Sequence, residues 1–67
     1  MENKLEGIKE EITKDESLAV YQGMRKYGGR FVLALAEALV QADEDNTKRI
    51  KEAWPEYWAQ YLELGGQ

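Results

Sequence analysis

A chain of 67 residues with no cysteine, no histidine and a formal net charge of −4 has no disulfide, no thiolate metal site and no imidazole base to draw on. Its length allows one small domain with a net stability of only about 3–5 kcal/mol, so added stability must come from close helix packing or self-association. With 13 acids against 9 bases, nucleic acid and anionic lipid are disfavoured partners, and no cofactor is expected.

Hydrophobic periodicity is helical throughout, with no strand-like alternation. The expectation is an all-α fold, a small three- to four-helix bundle in a single domain spanning 1–67, with 1–14 a loosely packed N-terminal helix or arm and 17–64 the core. The longest apolar run, Phe31 to Val40, is broken by Glu37 and is too short to cross a bilayer. The first residues lack the layout of a signal peptide. A reducing cytoplasm with no membrane association is therefore expected.

Residues 2–14 place Leu5, Ile8 and Ile12 on one narrow stripe. Gly7 and the like-charge pairs Glu2/Glu6 and Glu6/Glu10 oppose this helix, so it should form only when docked. Asp15 or Ser17 then caps a helix running to about Tyr27, whose face is Leu18, Tyr21, Met24 and Tyr27, with Ala19, Gln22 and Lys26 opposite. Gly28-Gly29 ends it, as glycine does in the left-handed position after a helix.

The next helix, about 29–42, carries only Arg30, Glu37 and Gln41 as polar residues, all within a strip of about 40°. A helix so apolar is expected to be central and enclosed. Asp43 to Asn46 form the following turn, with Asn46 or Asp45 capping a last helix over about 47–63. On it Ile50, Trp54, Tyr57, Trp58 and Tyr61 fall within a wedge of about 100°. Pro55 should kink this helix or split it, standing then at the first position of a separate helix. Gly65-Gly66 stops the chain's last turn.

Four groups of residues are candidates for function. The stripe Trp54, Tyr57, Trp58 and Tyr61 either closes the core or leaves a surplus that docks a protein partner or a second copy. Arg25, Lys26, Gly28, Gly29 and Arg30 form the one positive patch around a glycine pair, suited to an anion if the amides converge and otherwise an ordinary turn with ion pairs. Lys48, Arg49 and Lys51 early in the last helix suggest a DNA reader, opposed by Asp43, Glu44 and Asp45 where phosphates must approach. Glu37 alone on the apolar helix would matter to catalysis only if buried; the plainer role is pairing with an arginine or accepting from a buried indole or phenol. No catalytic or metal-ligating set is found, and enzymatic function is not expected.

Tyr27-Gly28-Gly29-Arg30-Phe31, Ala34-Leu35-Ala36-Glu37-Ala38, Ala42-Asp43, Asn46, Arg49-Ile50, Ala53 and Pro55-Glu56-Tyr57-Trp58 together resemble a group of very small helical proteins of bacteriophages, prophages and bacteria. The resemblance covers residues 21–61. It implies a bacterial or viral cytoplasmic setting and a compact helical unit, and it carries no activity. The leading expectation is a non-enzymatic interaction protein acting through protein contacts or self-association. The alternative is nucleic-acid or small-anion binding through Arg25, Lys26 and Arg30.

Overall fold

Thr13 arrives in extended conformation (φ −76°, ψ 161°), and its hydroxyl accepts from the Glu16 amide at 3.0 Å. This is N-cap geometry, and it sets the start of the first helix. The computed structural model describes residues 12–66. Four helices follow one another there: α1 Lys14–Tyr27, α2 Arg30–Gln41, α3 Glu44–Ala53 and α4 Pro55–Gly65. The protein is an all-α bundle, with no strand among the described residues. The helix expected over 2–14 lies outside the described residues as far as Glu11; Ile12 and Thr13 are not helical, and Lys14 belongs to α1. The cap is Thr13 and not Asp15 or Ser17, because Asp15 and Glu16 then occupy the first turn, where the helix dipole favours acids.

The closest helix pair is α1 with α4, and their backbones touch. A Cβ added at Gly23 would collide with the Tyr61 carbonyl oxygen and stand 3.0 Å from the Gly65 nitrogen. One added at Gly65 would collide with the Ala19 carbonyl oxygen and stand 2.9 Å from the Gly23 nitrogen. Ala19 and Gly23 are one turn apart on α1, as Tyr61 and Gly65 are on α4, so the two backbones meet where Ala19, Gly23 and Gly65 carry a methyl group or no side chain. Around that seam Val20, Met24, Val32, Leu35, Ala36, Leu39, Trp58 and Tyr61 form the buried core.

The face expected for α1 does not hold together. Each step of three residues falls about 60° short of a full turn, so the series from Leu18 to Tyr27 winds halfway round the helix. Leu18 and Tyr27 are both half exposed, Met24 is buried, and Ala19, expected on the opposite side, lies against Gly65.

The apolar α2 joins the core through Val32, Leu35, Ala36 and Leu39, but the enclosure expected around it is one-sided. Phe31, Leu33 and Val40 are 53%, 37% and 54% exposed. With α1 and α4 pressed together, α2 has a neighbour on its inner side only. Helix α3 is too lightly packed to cover the rest, since Thr47 is its one buried residue.

Gly28 (φ −84°) and Gly29 (φ −86°) are both extended, so neither takes the left-handed conformation expected of them. Gly28 is needed for room instead: a Cβ there would collide with the Val32 side chain and lie 2.6 Å from the Met24 carbonyl oxygen, whereas one at Gly29 would meet nothing within 4 Å.

Helix α3 begins three residues earlier than expected. Asp43 is its cap, accepting from the Asn46 amide at 2.8 Å, and the Thr47 hydroxyl donates to the Asp43 carbonyl at 2.8 Å. Choosing Asp43 over Asn46 places Glu44 and Asp45 in the first turn, again at the favourable end of the dipole.

At Pro55 the chain splits. Trp54 (φ −132°, ψ 64°) leaves helical conformation, its N–H donates to the Ile50 carbonyl at 3.0 Å, and its carbonyl accepts from the Trp58 amide at 2.9 Å. One residue thus closes α3 and opens α4, with Pro55 at the first helical position, where its missing N–H costs nothing.

Candidate interaction surface

The split at Trp54 divides the aromatic stripe. Trp58 and Tyr61 turn inward and are 2% and 7% exposed; Trp54 is 37% exposed and Tyr57 is half-buried. Phe31, from the first turn of α2, completes the outer group. Its ring stands 5.9 Å from that of Trp54, edge-on, and 6.0 Å from that of Tyr57, which in turn lies 6.2 Å from Tyr61. These separations are favourable for aromatic pairs. The result is a chain of rings from core to surface, with Phe31 and Trp54 at the wet end. A shallow cleft of about 470 Å³ between α2 and α3 adjoins it, lined by Ala38, Asn46, Arg49, Ala53 and Trp54 among others.

Of the four aromatics singled out in the sequence, two are therefore core and two are surface. Phe31 was missed because the apolar α2 was expected to be enclosed. Its place on the wheel, about 90° from the direction shared by Val32, Leu35, Ala36 and Leu39, was the available signal.

The buried indole of Trp58 finds its acceptor on α1 and not on α2. Its Nε1 donates to Glu16 Oε2 at 2.8 Å, and Lys51 Nζ approaches the same oxygen at 3.2 Å. The Lys51 ammonium also stands 5.8 Å from the Trp58 ring centroid. Glu16 thereby ties α1, α3 and α4 together. Glu37, the carboxylate that sequence reasoning singled out, is exposed and sits 4.0 Å from Arg25, also exposed. A pair so solvated contributes about 0–1 kcal/mol. This position lacks the burial that a role in acid–base chemistry would need.

The basic residues are distributed over three helices. Arg25 and Lys26 end α1, where cations suit the dipole. The Arg25 guanidinium lies 6.0 Å from the Tyr21 ring and Lys26 Nζ 5.5 Å from the Tyr27 ring. The Gly28 amide donates to the Met24 carbonyl at 2.9 Å, so Gly28 and Gly29 do not offer a pair of successive amides to an anion. Arg30 starts α2. On α3, Lys51 turns to Glu16, Lys48 lines a groove toward α1, and Arg49 lines the cleft beside Trp54. The three cations of α3 thus lie in three different settings. Among the described residues no cluster of three or more acidic side chains is placed to hold a metal ion, and no helix is long and apolar enough to cross a membrane.

Compared with models of protein families, with curated proteins and with solved structures, the chain shows no match.

Proposed function

We propose that this chain is a non-enzymatic helical interaction protein of a bacterial or phage cytoplasm, and that it associates with itself through the Phe31–Trp54–Tyr57 surface. One observation carries the reading: a tryptophan and a phenylalanine in edge-on contact remain 37% and 53% exposed, while Trp58 and Tyr61 of the same aromatic group are buried. Tryptophan is the residue most enriched at the energetic centres of protein contacts. The border of the patch supports a homotypic contact. Arg30 precedes Phe31, Arg49 shares the cleft with Trp54, and Glu56 stands next to Tyr57. A patch bordered by both signs of charge is able to face its own copy across a two-fold axis, with cations over acids.

Sedimentation equilibrium tests this. The native chain is expected to dimerise as concentration rises from micromolar towards millimolar, and the double substitution Phe31→Ser/Trp54→Ser to remain monomeric with unchanged helical content. A native chain that stays monomeric at the highest concentration, or a variant that associates as strongly, would refute the proposal.

A further inference from the structure

The side of α2 that the bundle leaves uncovered has a definite order around the helix. With the direction of Arg30 taken as zero, Glu37 stands about 20° to one side, and Gln41, Ala34, Ala38 and Phe31 follow on the other at about 20°, 40°, 80° and 100°. All six are exposed. The direction shared by the buried Val32, Leu35, Ala36 and Leu39 lies opposite Arg30. The uncovered face thus has an aromatic edge, where Phe31 meets Trp54, a middle of Ala34 and Ala38, and a charged edge of Arg30 and Glu37.

We infer that α2 pairs with α2 of a second copy, antiparallel about a two-fold axis between Leu33 and Ala34, with Arg30 of each copy facing Glu37 of the other. The pairing rests on the self-association proposed above and gives it a register. The order of the charges carries it. Arg30 and Glu37 are seven residues apart, about two turns, and so share one edge of the helix. Each lies about 5 Å along the axis from the point between Leu33 and Ala34, in opposite directions. A two-fold axis perpendicular to both helices keeps an edge on its own side and reverses the direction along it. It therefore sets each arginine against the opposite glutamate, twice per dimer. A parallel pair would leave the two charged edges on opposite sides and gain neither contact. On the aromatic edge the same rotation lays Phe31 of one copy beside Ala38 of the other, which lines the cleft of about 470 Å³ next to Trp54. The exposed ring thereby gains a cover, and the methyl groups of Ala34 and Ala38 let the helices approach closely. Glu37 is accessible for this contact: it meets Arg25 only at 4.0 Å, with both side chains more than half exposed.

Charge reversal, read by sedimentation equilibrium, tests this. R30E and E37R each turn both pairs of a homodimer into like-charge contacts and should raise the dissociation constant about tenfold over that of the native chain. Mixed in equal amounts, the two single variants regain opposite charges at both places, so the mixture should associate about as tightly as the native chain. The double variant R30E/E37R should do the same. R30E also brings an acid to the first turn of α2, which has none, so the helix dipole favours it and weaker association would not reflect a weaker fold. Independently, in a chain without native cysteine, Ala34→Cys beside the axis should oxidise to a covalent dimer, and Ala59→Cys, exposed on α4, should not. Single variants that associate like the native chain, a mixture as weak as its components, or equal cross-linking of A34C and A59C would each overturn the pairing. A native chain that dimerises in those cases keeps the self-association and loses only this register. A native chain that stays monomeric removes both.

Discussion

Gly23→Ala sets two effects against each other. Gly23 lies in the interior of α1, Lys14–Tyr27, where alanine is favoured over glycine by about 1 kcal/mol on helix propensity alone. The new methyl group would collide with the Tyr61 carbonyl oxygen and lie 3.0 Å from the Gly65 nitrogen and 3.1 Å from the Tyr61 carbonyl carbon. Unstrained contacts of a Cβ begin at about 3.4 Å, so α1 and α4 must part by about 1 Å along the seam to clear the Tyr61 carbonyl oxygen. Every obstructing atom is backbone, and no change of rotamer relieves it. Overpacking costs about 1–3 kcal/mol, and a rigid seam belongs at the upper end. Offsetting about 3 kcal/mol of strain with about 1 kcal/mol of propensity leaves a net loss of about 2 kcal/mol. In a domain of this size that is a fall of about 8–16 °C in Tm. Thermal unfolding followed by far-UV circular dichroism reads it directly. A midpoint at or above that of the native chain would show that propensity wins and that the two backbones are not in contact.

Other substitutions probe separate parts of the fold. Glu16→Ala leaves the buried Trp58 Nε1 without its acceptor and should cost about 1–3 kcal/mol, whereas Glu16→Gln keeps an acceptor oxygen and should cost less; equal losses in denaturant titrations would remove the hydrogen bond as the cause. Leu35→Ala, at a site 6% exposed, should cost about 2–5 kcal/mol by opening a cavity, while Val40→Ala, at a half-exposed site, should barely move the same titration curve. Gly29→Asp should raise stability by about 0.5–1 kcal/mol, because α2 has no side-chain cap and no acid in its first turn; an unchanged or lower melting midpoint would contradict the assigned cap.

What was legible in the sequence was the burial signal carried by large side chains with a strong period. The mid-chain helix as a contributor to the core and an interruption at Pro55 follow from the apolar run and from the missing N–H of proline. The tightest contact was illegible, because Ala19, Gly23 and Gly65 act by having little or no side chain, and a hydrophobic pattern does not register absence. The face of α1 was misassigned because a repeat of three imitates a helical stripe for two steps and then drifts off it. Asp43 was passed over among several acids that all cap well, and only the end of α2 at Gln41 selects it. For the candidate surface, Trp54 and Tyr57 were visible as part of a stripe, but Phe31 comes from a different helix. The Glu16–Trp58 bond joins residues 42 positions apart, and pairings of that range leave no local trace.

Because Trp54 serves both α3 and α4 as a terminus, the two helices share no continuous ladder of amide bonds. Unwinding that starts in α3 meets a boundary there and need not travel into α4. Helix α3 is also held inward mainly by Thr47, Ile50 and the Lys51–Glu16 pair. It should be the first section of the described chain to open, with amides from Lys48 to Ala53 trading deuterium well before those of Trp58 to Leu62. Such a detachable segment beside an exposed tryptophan would let the molecule alter the shape it presents while its α1–α4 spine stays folded.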